Sequence, residues 1–318
     1  MHRFVTRALV PTLCLCSVLS LTGCDDDDDS TTTSSTSTST ASTSSTTTTD
    51  INIPFTAQVN GTPFTCGTTF QGVGNAVTDR YRIDDFRFYI NNIRLKDHYD
   101  GKLYPVELKQ DGKWQYNNMA LLDFENGCVN GTKELNTQVT ATLPAGKNIS
   151  DFNGICFVVG LPFTENHADP ASAPAPINVS GMLWSWTTGR KFIRVDGVGD
   201  PDGLKTSFHV HLGSTGCSDV NKQGKQPDGP CTYANTPEIC LNNFVLNQHT
   251  IIADIGKILR NSNVAYNTPN SAAGCMAGNS DPECQPIFPL LGLDFIYNDG
   301  ANPAITFPKQ EQVFFGLK

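Results

Sequence analysis

Phe208-His209-Val210-His211-Leu212-Gly213 sets two imidazoles two residues apart in a run that alternates apolar and polar. In a strand, alternate side chains share a face. His209 and His211 then stand on one side, about 6.6 Å apart, with Phe208, Val210 and Leu212 on the other. The apolar set marks the buried face, so the imidazoles look to solvent, a cleft or another loop. A pair at this spacing either converges on one metal ion or is an ordinary polar face. Past the first 24 residues only His98, His167 and His249 accompany the pair. His167 sits in Glu165-Asn166-His167-Ala168-Asp169, a polar loop suited equally to a metal ligand or a turn cap.

Met182-Leu183-Trp184-Ser185-Trp186 is the second conspicuous segment. On a strand Trp184 and Trp186 share one face, and core packing is the ordinary reading of such a pair. The third is the cysteine set. Of eleven cysteines, Cys14 and Cys16 fall in an apolar leader and Cys24 closes it. That leaves Cys66, Cys128, Cys156, Cys217, Cys231, Cys240, Cys275 and Cys284. An even number in an exported domain reads as disulfides, and the loops between Cys217 and Cys284 lack the short paired spacings of a zinc ribbon.

The leader fixes the compartment this reading needs. Arg3 and Arg7 precede an apolar run from Ala8 to Leu21, too short to span a bilayer. Leu21-Thr22-Gly23-Cys24 resembles a bacterial lipobox, which implies cleavage before Cys24 and acylation of that residue, so residues 1–23 are read as the signal. Asp25 to Asp29 is acidic and Ser30 to Thr49 is almost wholly Ser and Thr. With nothing to bury, residues 24–50 are expected to form a solvated stalk. The protein is thus expected in the bacterial cell envelope, periplasm-facing or at the surface, tethered by lipid to a membrane that the sequence does not identify.

Residues 51–318 carry no linker and no internal repeat, and read as one β-rich domain. Tyr81 to Lys96, Ile155 to Leu161, Gly181 to Val195, Ser207 to Leu212 and Val313 to Leu317 carry strand signals, the first with breaks that suggest a bulge or a turn. Thr250 to Arg260 reads as a helix through Ile251, Ile252, Ile255, Ile258 and Leu259. The expected fold is all-β, an antiparallel sandwich or open barrel with long disulfide-stapled loops and one or two short helices. A net charge of −9 gives no basic patch, which argues against nucleic acid as a partner. No Gly-x-Ser-x-Gly elbow or His-Glu-x-x-His helix is present, so a hydrolase is poorly supported.

Several motifs recur together in order. Phe124 to Cys128, Pro162 to Asp169, Met182 to Phe192 and His211-Leu212-Gly213-Ser214-Thr215-Gly216-Cys217 resemble the metallo-mystery-pair four-cysteine proteins, the MbnP-like copper-binding periplasmic family. Arg190 stands where that family usually has tyrosine. The resemblance implies a non-enzymatic copper protein used in copper acquisition or handling. It also implies a di-haem c-type cytochrome peroxidase-like partner (MbnH-like) that oxidises a tryptophan to kynurenine. By motif match, Trp184 and Trp186 are the residues to be oxidised, and His211 and His167 are the imidazole ligands with His209 next. The aromatic amine of kynurenine is a nitrogen donor that intact indole lacks. The four cysteines of the family name fall among Cys217, Cys231, Cys240, Cys275 and Cys284. The rival reading is a stalked periplasmic or surface interaction module whose histidines and tryptophans are structural.

Overall fold

The computed structural model describes residues 48–75, 80–128, 133–184, 189–218 and 226–318. Cys24, the stalk up to residue 47, and Trp186 lie outside the described residues. The strands that build the molecule are β1 (Asp50–Val59), β2 (Arg80–Asp97), β3 (Met119–Asp123), β4 (Gln138–Thr142), β5 (Phe152–Val159), β6 (Ile193–Gly199), β7 (His209–Leu212), β8 (Glu238–Asn242), β9 (Ile251–Asp254) and β10 (Phe315–Leu317). One sheet runs β10-β9-β1-β4, and the other runs β8-β5-β2-β6-β7 with β3 also paired to β2. Among the described residues no helix is long and apolar enough to cross a membrane.

The two sheets meet face to face through aromatic side chains. Phe55 of β1 meets Phe88 of β2 at 6.1 Å and Phe157 of β5 at 6.0 Å between ring centres, and Phe315 of β10 meets Phe157 at 5.1 Å. Along β1 the pattern is strict: Ile51, Ile53, Phe55, Ala57 and Val59 are buried and their neighbours are not. β2 solves a harder problem, because its apolar residues change parity twice. Tyr81 and Ile83 are odd, Phe86, Phe88 and Ile90 even, Ile93 and Leu95 odd again. A register shift against β6 at Asp84 makes the first change, and a bulge against β5 at Asn92, whose φ is 50°, makes the second. These are the breaks expected from the sequence. The middle of β2 is buried on both faces, because the excursion from Pro162 to Met182 folds over its outer face. Tyr89 donates to Pro176 O and Asn91 to Gly160 O.

All eight cysteines past the leader are paired: Cys66–Cys128, Cys156–Cys240, Cys217–Cys231 and Cys275–Cys284. The third and fourth staple the loops after β7, as expected, and Cys240 instead ties β8 to β5.

Two sequence expectations are corrected. Thr250 to Arg260 is not one helix. Ile251–Asp254 is strand β9, parallel to Phe55–Gln58 of β1, and the helix α2 spans only Ile255–Leu259. Ile251 and Ala253 are core residues in period two, and Ile258 and Leu259 are core residues in period 3.6. A stripe assembled across that junction mimics a single helix, while β-branched Ile251-Ile252 suits the strand. Nor is Gly181 to Val195 a continuous strand. Ser180–Met182 is a 3₁₀ turn, Leu183 and Arg190 form one bridge, and β6 begins at Ile193. Gly189, at φ +83° with its Cα facing Asn166, is a turn position that interrupts the strand.

Candidate metal centre

The outer face of β2, β6 and β7 carries a grid of charged and imidazole side chains. Register sets Asp123 of β3 opposite Arg87 of β2, Arg87 opposite Arg194 of β6, and Arg194 opposite His211 of β7. The next row holds Asp85 opposite Asp196, with His209 beside Asp196. Like charges directly opposite each other are unfavourable, so the pairing runs along the strands and diagonally. Arg87 grips Asp85 through Nε and Nη2, and Arg194 reaches Asp85 at 3.2 Å. Arg194 donates from Nε at 2.8 Å and Nη2 at 2.5 Å to Oδ2 of Asp196.

The other oxygen of Asp196 serves His211. Oδ1 accepts from His211 Nε2 at 2.5 Å, while His209 Nδ1, 3.4 Å from that oxygen, accepts from the Gly197 backbone N–H at 3.3 Å. Burial works against the Asp196 anion, yet the hydrogen bonds from His211 and Arg194 hold its carboxyl below the usual carboxylate range. An ionised Asp196 makes His211 Nε2 the protonated nitrogen. Nδ1 of His211 then carries the lone pair, and it is buried with no partner. Burial pushes both imidazoles down from their ordinary value, with Asp196 opposing. Both are therefore neutral at neutral pH, the state in which imidazole binds metal.

Trp184 closes one side of the cluster, its ring edge-on to His211 with centroids 6.2 Å apart. It is held by its backbone: Trp184 N donates to Gly189 O at 3.0 Å, and Lys191 N to Met182 O at 2.7 Å. The Lys191 ammonium, pushed down to about 8 by burial and by Arg194, donates to Gly181 O and Leu183 O. Gly213 makes room for the indole, since a Cβ there would lie 2.6 Å from Trp184 Cζ3. Gly181 makes room for the guanidinium groups of Arg194 and Arg87 in the same way.

His167 stands elsewhere. Fully buried at the end of α1 (Phe163–Asn166), it packs on Phe163 and lies against a disulfide, Nε2 being 3.4 Å from Cys231 Sγ and 3.9 Å from Cys217 Sγ. The structure thus brings His209, His211 and Trp184 together and places His167 in a separate cluster with two sulfurs. Arg190 ties the two regions. Its buried guanidinium donates to Ile177 O, Asn166 O and Ala168 O, and its backbone N–H to Asn166 Oδ1. Sequence reasoning missed Asp85, Arg87, Arg194 and Asp196. Their signal is two matching Asp/Arg pairs at i, i+2, Asp85-x-Arg87 and Arg194-x-Asp196, inside apolar alternation.

Fold and site together define a disulfide-stapled β protein whose outer face holds a partly buried histidine–carboxylate cluster. The MbnP family model matches residues 48–277, and the chain belongs to that family. A solved structure, MbnP from Methylosinus trichosporium, is similar with a TM-score of 0.71 and 27% identity, covering 85% of this chain and 98% of that one. No curated protein sequence matches it.

Proposed function

We propose that the chain is a copper-binding protein of the cell envelope, not an enzyme, that holds copper through His209 and His211 beside Trp184 and serves copper acquisition or handling. The observation that carries this reading is His211 Nδ1, a buried nitrogen lone pair without a partner. Buried polar atoms are nearly always satisfied, and a metal ion satisfies this one. The donor set fits, being neutral imidazoles with a carboxylate fixing the ring from behind, the arrangement that orients histidine ligands. Imidazole suits several transition metals, and the motif resemblance supports copper among them.

Trp184 is well placed for the kynurenine reading: oxidation there turns a packing indole into an aromatic amine next to His211. Trp186 remains the alternative residue. The partner for that oxidation is a di-haem c-type cytochrome peroxidase-like protein, and Cys24 carries the lipid tether. His167 takes no part in this site.

Protein purified from its own host tests the reading as a whole. Copper stoichiometry, the mass of the N-terminal peptide and the mass of the Trp184–Trp186 peptide are read together. One copper per chain, an acylated Cys24 and a tryptophan peptide changed by one oxygen gained and one carbon lost are expected. A folded His209→Ala/His211→Ala double variant that binds copper as the wild type does would overturn the site.

A further inference from the structure

A buried carboxyl stands beside one of the four bridges. A carboxyl oxygen of Glu125 and the sulfurs of Cys66 and Cys128 lie within 4.8 Å of one another. Glu125 is fully buried, and its Oε1 accepts from the backbone N–H groups of Gly127 at 2.6 Å and Cys128 at 2.5 Å. Oε2 is buried too and has no partner, a state that folded proteins nearly always avoid. The Cys66–Cys128 disulfide cannot relieve it, having no proton to give. A thiol can, because S–H is a weak donor. The Asn126 side-chain oxygen, set against Cys66 Sγ and 3.7 Å from Cys128 Sγ, is a second acceptor facing the same two sulfurs. The surroundings of this bridge therefore suit its reduced form.

We propose that Cys66–Cys128 is a thiol–disulfide exchange site whose partner is a dithiol, with the Glu125 carboxyl carrying the proton. The two sulfurs differ in access. Cys128 is exposed, and Gly67 has no side chain where a Cβ would lie 3.4 Å from Cys128 Sγ; Cys66 is only 8% exposed. An incoming thiolate therefore attacks Cys128 Sγ. The Cys66–Cys128 bond breaks, its electron pair stays on Cys66, and that buried thiolate takes a proton through Glu125. The second sulfur of the dithiol then displaces Cys128 from the mixed disulfide, and Cys128 takes its proton from solvent. The dithiol thereby loses two electrons and two protons and becomes a disulfide, and the bridge gains them as two thiols. In reoxidation Glu125 takes the Cys66 proton, leaving the thiolate that is the nucleophile. Opening the bridge does not free its two segments from β2, because Gly67 N donates to Ile83 O at 2.7 Å and Phe124 N to Phe86 O at 3.0 Å.

The molecule carries its own control. Cys240 is exposed as well, but among the described residues no carboxyl groups in this way with Cys156 and Cys240. Full-length protein is reduced with dithiothreitol, and separately with a dithiol protein, then quenched by alkylation, and each cysteine is followed by mass spectrometry. Faster exchange with the dithiol protein assigns a protein partner, and faster exchange with dithiothreitol a small one. Glu125→Gln is expected to slow reduction and reoxidation of Cys66–Cys128 by at least about tenfold and to leave the rates at Cys156–Cys240 unchanged. Glu125→Asp, which keeps a carboxyl, should recover part of the loss. In the wild type, deuterated solvent should slow exchange at Cys66–Cys128 more than at Cys156–Cys240, a comparison that needs no variant to fold. Wild-type rates in a folded Glu125→Gln protein, an equal loss at both bridges, equal isotope effects, or a Cys66–Cys128 bridge that neither dithiol opens in the folded chain would each overturn the proposal.

Discussion

Asp196→Asn is the sharpest perturbation of the metal centre. Asp196 uses both oxygens as acceptors, Oδ2 toward two nitrogens of Arg194 and Oδ1 toward His211 Nε2. Asparagine has one acceptor oxygen and one donor NH₂, so it satisfies one side and opposes the other. If its oxygen stays on His211, the NH₂ faces Arg194 and a charged hydrogen bond of about 1.5–3 kcal/mol is lost. If its oxygen turns to Arg194, the NH₂ faces His211 and drives the proton from Nε2 to Nδ1, the atom proposed to bind copper. Removal of such outer partners costs about 10–100-fold in metal affinity, which at about 1.4 kcal/mol per decade is about 1.4–2.8 kcal/mol. Competitive copper titration measures the affinity, electron paramagnetic resonance of the Cu(II) form reads the ligand field, and a thermal melt establishes folding. A folded Asp196→Asn protein with wild-type affinity and an unchanged spectrum would refute the assignment of His211 Nδ1.

Two further outcomes follow from the same grid and its neighbours. Burial pushes Asp123 up to about 7, while the unfolded carboxyl titrates near about 3.9. The folded state therefore holds the extra proton between those values, and stability falls as pH rises through that window, by roughly 1.4 kcal/mol per unit. Urea unfolding at stepped pH should show Asp123→Asn removing that fall; equal slopes in both proteins would count against it. Arg190→Met leaves two buried carbonyls and one partly buried carbonyl without their donor, at about 1–3 kcal/mol for each buried one. Allowing for the guanidinium no longer being desolvated, we expect a loss of about 3–5 kcal/mol by the urea midpoint at unchanged m-value, and a loss under about 1 kcal/mol would refute the tie.

Much of this molecule was legible in its residues. The alternation around His209 and His211 gave the correct face for each residue, because Phe208, Val210 and Leu212 are all buried. The broken pattern in β2 marked real bulges, because apolar parity must be restored wherever a strand slips. Legibility ended where one residue served two periods, as at Ile251 to Leu259. It ended again at Trp184, where local alternation imitates a strand but two glycines and a 3₁₀ turn prevail. The carboxylate behind His211 was hidden for another reason. Asp196 is a charge in a strand, which alone reads as a solvated edge, and only the covering segment from Ser180 to Met182 and the cross-strand register make it part of a site. Arg190 departs from the family motif in sequence, and its three carbonyl partners show what it does here.

The parallel ladder between β1 and β9 governs how the chain must fold. Phe55 to Gln58, near the start of the domain, pairs with Ile251 to Asp254, near its end. A contact of such high sequence separation forms only after a long loop is closed, and topologies rich in such contacts fold slowly. One side of the C-terminal half of β1 therefore waits, unpaired, until the last fifth of the chain has been delivered. A chain cut short before Ile251 cannot complete this sheet, and it keeps an open strand edge of the kind that recruits other chains.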